Sequence, residues 1–140
     1  MIHAILDRLK KDKLLSALLG ATKKDSRIYP IETDSFGPCI TYSVSPVIGG
    51  GVKTDRVKLS IYDLEYDRLL CIVAKLMELL DLEECDPGWL FSYEDDTGAL
   101  KRVEIFTSGQ NGGGELVFDV GEQQLYQKIL FFNIKWRYVK

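Results

Sequence analysis

Between Asp63 and Leu82 the apolar residues Tyr66, Leu69, Leu70, Val73, Leu76, Met77 and Leu80 recur at i, i+3 and i+4, the spacing of one helical face. No other stretch of the chain constrains the fold as much, because a helix this apolar must lie against another layer. Asp63 stands where an N-cap would, Glu65 suits the positive end of the helix dipole, and Asp86-Pro87-Gly88 prevents continuation. Ile72 and Leu79 widen the stripe, so more than one surface is available for covering.

The segments around this helix supply the other layer. Near the start, Ile2, Ile5, Leu6 and Leu9 share a helical face, whereas Leu14, Leu15, Leu18 and Leu19 form a second set out of phase with it. With Asp12 able to cap and Gly20 able to stop a turn, one kinked helix or two short ones are expected. CITYSV (39–44) and RVKLSIYD (56–63) alternate as half-buried strands and make an antiparallel hairpin with a long loop over 46–56. WLFSY and LKRVEIF flank the turn-forming EDDTG as a further hairpin. SGQNGGGE (108–115) reads as a second glycine-rich loop, and the chain ends on a long alternating strand. The expected architecture is α+β: a mainly antiparallel sheet of four or more strands with two helices packed on one face. At 140 residues and 46% hydrophobic content, residues 1–140 suffice for one domain with its own core.

The residues that usually carry chemistry are sparse. VIGGGVKT (47–54) resembles a phosphate loop at first sight, yet Val52 precedes Lys53 and Val47 holds the earlier position where a Walker loop needs glycine. The strand that follows makes it a hairpin loop. The sole histidine, His3, lacks a Cys, Asp or Glu at ligand spacing. Two acidic groups, Asp81/Glu83/Glu84/Asp86 and Glu94/Asp95/Asp96, lack the spacing of a calcium loop. Cys39, Cys71 and Cys85 are odd in number and far apart, which argues against a disulfide framework; Cys39 and Cys71 fall where small buried thiols are common. No metal and no cofactor is expected, and the expected role is non-enzymatic.

A net charge of −3 provides no overall field toward nucleic acid or anionic membranes. No apolar run is long enough to span a bilayer, and the expectation is a protein kept in a reducing cytoplasm. Lys135 and Arg137 alternate with Trp136 and Tyr138 on the last strand. That arrangement suggests a small nucleic-acid-binding domain as the alternative function, although alternation places the basic and aromatic groups on opposite faces.

The order of segments is itself informative. An N-terminal helix ending in LLSALLG, the RIYP anchor, the strand PCITYSV, a variable loop, the strand RVKLSIYD and the helix LEYDRLLCIVAKLMELL follow one another. This order resembles the tail-completion proteins (tail terminators, head-to-tail joining proteins) of long-tailed bacteriophages and prophages. The resemblance covers residues 1–82 and, loosely, the strand from about 125, leaving 89–120 as a lineage-specific hairpin and loop region. It implies a structural subunit of a homo-oligomeric ring, typically hexameric, that terminates the tail tube and contacts the tail-tube protein and the head-completion or connector protein. The implied location is the head-to-tail interface of the virion, after synthesis in the bacterial host cytoplasm. On this reading Gly49, Gly50, Gly51 and Lys53, with Gly112, Gly113 and Gly114, are the docking loops. Arg27, Tyr29, Ile72 and Leu79 are the candidate subunit interface.

Overall fold

A computed structural model describes residues 1–31, 37–82 and 89–139. The N-terminal segment forms two helices, α1 (Ile2–Lys11) and α2 (Lys13–Leu19). The break comes at Asp12, whose extended backbone ends α1 while its carboxylate accepts the Leu15 N–H at 2.9 Å and caps α2. Gly20, at φ 68°, ends α2 in the left-handed conformation that costs glycine least. Six strands follow: β1 (Ile28–Pro30), β2 (Cys39–Ile48), β3 (Lys53–Asp63), β4 (Trp89–Glu94), β5 (Leu100–Val120) and β6 (Gln123–Tyr138), with α3 (Tyr66–Leu80) between β3 and β4.

All six strands join one sheet in the order β1-β2-β3-β6-β5-β4. The expected mainly antiparallel sheet under two helices is not what forms. β1 pairs parallel to β2, so the sheet is mixed, and three helices accompany it. β1 is only three residues long and contains Pro30, which is why its pattern does not announce a strand. α3 buries Leu69, Ile72, Leu76 and Leu80 against a core that includes Leu59, Ile61, Leu130 and Phe132. Each such side chain contributes about 1.5–3 kcal/mol on burial.

Asp63 does not cap α3. It ends β3 with no exposed surface and accepts from Arg68 Nε and Nη2, both at 2.7 Å, and from the Glu65 N–H at 3.0 Å. Glu65 holds the N-cap position without a side-chain cap bond.

The expected loop over SGQNGGGE is strand. β5 runs from Leu100 to Val120, with register shifts between Ile105 and Thr107 and between Gln110 and Gly113. The glycines belong to the second irregularity: Gly112 sits at φ 89°, and a Cβ on Gly113 would run into the carbonyl of Ile129 in β6. A positive φ at Gly112 and close backbone approach at Gly113, rather than freedom in a loop, call for glycine at these two positions. The β2–β3 hairpin is also longer than its sequence suggests. β2 continues through Pro46 to Ile48, with a bulge between those residues, and β3 resumes at Lys53.

Candidate assembly surfaces

Arg27 and Tyr29 lie in a compact polar knot that sets the start of β1. Arg27 adopts φ 63°, donates through Nε to the Pro38 carbonyl at 3.1 Å and through Nη1 to the Tyr29 hydroxyl at 3.1 Å. The Tyr29 hydroxyl donates to the Asp25 carboxylate at 2.8 Å. Hydrogen bonds from the Arg27 backbone and the Tyr29 hydroxyl hold the Asp25 carboxyl below its ordinary range. The knot ties the loop before β1 to the start of β2, where Ile40 N–H donates to the Arg27 carbonyl. Of the other two interface candidates, Ile72 has no exposed surface and belongs to the core of the single chain. Leu79 is half-buried against that core, and its carbonyl accepts from Arg8 Nε at 2.6 Å.

Gly49, Gly50, Gly51 and Lys53 occupy the β2–β3 tip. Lys53 Nζ donates to the Gly50 carbonyl at 2.7 Å, and Val47, Ile48 and Val52 are exposed beside it. Gly112, Gly113 and Gly114 lie away from this tip, within β5. The exposed apolar residues at the far end of that strand are Leu116, Val117 and Phe118.

The two margins of the sheet differ. Ile40 N–H bonds to the Arg27 carbonyl and Ile31 N–H to the Tyr42 carbonyl, so the backbone of Ile40 and Tyr42 points toward β1. By alternation Pro46 points outward beyond the end of β1, and Pro30 points outward from β1 itself. Neither has an N–H, so this margin is poorly suited to adding a strand. On the opposite margin β4 covers β5 only over Leu100–Ile105, and Leu82 bridges to Ser108. From Gly109 to Val120 the outer edge of β5 pairs with no described strand. Ser108 makes both bridge bonds to Leu82, so its backbone faces away from β6. The register carries that orientation to Gly113, Glu115, Val117 and Asp119, whose β6 partners share the alternation of Ile134, the partner of Ser108. None of these residues is proline.

The two faces differ as well. Trp136 is buried and its indole N–H donates to Asp55 at 2.9 Å, whereas Lys135 and Arg137 point to the face without helices. The register places Arg56 and Lys58 of β3 and Arg102 of β5 on that same open face. Arg137 Nε donates to Glu104 at 2.6 Å. Arg56 stacks over Phe131 at 4.1 Å, and Lys135 and Arg137 lie 5.9 and 5.7 Å from the Phe106 ring. The sequence separated Lys135 and Arg137 from Trp136 correctly. It missed Arg56, Lys58 and Arg102, because only strand order and register bring them together.

Among the described residues, the thiols and carboxylates weighed from the sequence do not come together. Burial pushes the Cys39 thiol up to about 11, so it stays protonated at neutral pH. Cys71 is exposed rather than buried, and Cys85 lies outside the described residues. Asp95 is engaged by Thr97 and Ala99 within its turn, and hydrogen bonding to Thr97 holds its carboxyl below the ordinary range. Glu83, Glu84 and Asp86 lie outside the described residues. Among the described residues no group of three or more His, Cys, Asp or Glu side chains is placed to hold a metal ion. Among them, too, no helix is long and apolar enough to cross a membrane.

No family model matches the chain, and no curated protein matches it significantly. Among solved structures, a chain from the virion of a native gene transfer agent (GTA) particle shares its fold. The TM-score is 0.58 over 95% of this chain and 92% of that one, at 11% identity. The likeness is one of fold, spanning nearly the whole of both chains.

Proposed function

We propose that this protein is a structural component of a phage-like virion: a non-enzymatic subunit that forms a ring, hexameric by the family resemblance, at the end of the tail tube, where it terminates the tail and joins it to the head connector. The observation that carries this reading is the fold likeness, along nearly the full length, to a chain of a GTA virion. The order of helices and strands over residues 1–82 supports it independently. Ring closure needs a heterologous interface, in which one patch meets a different patch of the next copy. The exposed β2–β3 tip and the β5 edge that no described strand covers are two such patches. The tail-tube and connector proteins are the other partners in this reading. The protein is made in the host cytoplasm and resides at the head-to-tail interface.

Native mass measurement over a concentration series, combined with cosedimentation on purified tail tubes, tests the proposal. A closed oligomer that pellets with tubes is the expected result. A monomer at every concentration that leaves tubes unbound would overturn it.

A further inference from the structure

We infer that the open face of the sheet binds the phosphate backbone of nucleic acid. The inference stands on that face alone and does not require the ring. In a chain of net charge −3, Arg56, Lys58, Lys135, Arg137 and Arg102 share one face across β3, β6 and β5. The strand carboxylates on this face are Glu104, which is buried and bonded to Arg137, and Glu94 at the β4 margin. Arg56, Lys58, Lys135 and Arg102 make no ion pair with any described residue. Nε of Arg56 is buried without a hydrogen-bond partner, an unusual condition for a guanidinium in a finished surface.

Successive cations along β3 (Arg56, Lys58) and along β6 (Lys135, Arg137) stand about 7 Å apart, and between strands they are offset diagonally, since Arg56 and Lys58 pair with Asn133 and Phe131 while Lys135 and Arg137 pair with Thr107 and Glu104. A repeating anion such as a phosphodiester chain meets several of them at once. Phe106 and Phe131 lie beneath the cations and give the face the mixed basic and aromatic character used for nucleic-acid backbones and bases. An acidic protein surface is the competing partner. It offers carboxylates without that repeat and gains nothing from the rings.

The test is fluorescence anisotropy of a short labelled DNA duplex over a salt series. With about four cations engaged, log affinity should fall against log salt with a slope of about −3 to −4, or about a hundredfold between about 50 and about 200 mM. Lys135→Gln combined with Arg102→Gln replaces two exposed side chains and should reduce the slope by about 2. Lys10→Gln combined with Lys24→Gln makes the same net change on the N-terminal segment and should leave the slope as it was. The proposal is overturned by any of three results: no salt-dependent binding, equal losses from the two double variants, or displacement of the duplex by polyglutamate as effective as by unlabelled DNA. Circular dichroism melting of each variant confirms that folded proteins are compared.

Discussion

Asp63 has no exposed surface, so its carboxylate depends on the donors that the β3–α3 corner supplies. Standing just before an apolar helical run, it has the identity and position of an N-cap, yet its carboxylate turns inward and takes two bonds from Arg68 and one from the Glu65 amide. A carboxylate with no exposed surface needs such partners, since burial removes its hydration. Arg68 keeps about a third of its side-chain surface in solvent (34%), so it can recover hydration if the carboxylate is lost. Asp63→Ala should therefore destabilise the fold mainly by stripping the β3–α3 corner of its acceptor, at a cost of about 2–4 kcal/mol. Urea denaturation measures this, and Asp63→Asn, which keeps one acceptor oxygen, should lose less. A change below 0.5 kcal/mol, which is about the scatter of neutral surface substitutions, would show that the corner does not depend on this carboxylate.

At the scale of elements, legibility follows how local the determining interaction is. α3 is plain in the sequence because its period is set by its own residues, and the Asp12 and Gly20 boundaries of α2 are plain for the same reason. β1 escapes notice because its pairing partner is β2 and its own pattern is three residues long. β5 escapes because a run of glycines normally marks a loop. Here β6 provides a long template, and the glycines permit the backbone to pass close to it. Gly113 and Gly114 should consequently respond differently to the same change. Gly114→Ala meets nothing within 4 Å and should alter stability by less than about 0.5 kcal/mol. Gly113→Ala places a methyl against the Ile129 carbonyl and should cost about 1–3 kcal/mol, as overpacking does. Amide hydrogen exchange would localise the loss to β5 and β6. Equal effects at the two positions would mean that the bulge relaxes freely and that the glycine run acts as a flexible segment after all.

For the whole molecule, the decisive facts are relations between distant segments. Strand order assembles the basic face from β3, β5 and β6, and it leaves one sheet margin carrying outward prolines while the other pairs with no described strand over 109–120. No local pattern contains either fact, although the residues that produce them are all visible in the sequence. An edge that no described strand covers, with exposed Leu116, Val117 and Phe118, is a hazard for a protein that remains alone and an asset for one that assembles. The Val117 amide points away from β6, so a proline there removes a donor that no described strand of the single chain engages. Leu116 faces the other way, and the same change there deletes a bond of the β5–β6 ladder. Val117→Pro should then keep the melting temperature of the dilute subunit near that of the parent while abolishing the proposed ring in native mass spectra. Leu116→Pro should lower the melting temperature itself. If Val117→Pro still closes rings at the parental concentration, the copies meet elsewhere, and the β2–β3 tip becomes the surface to mutate.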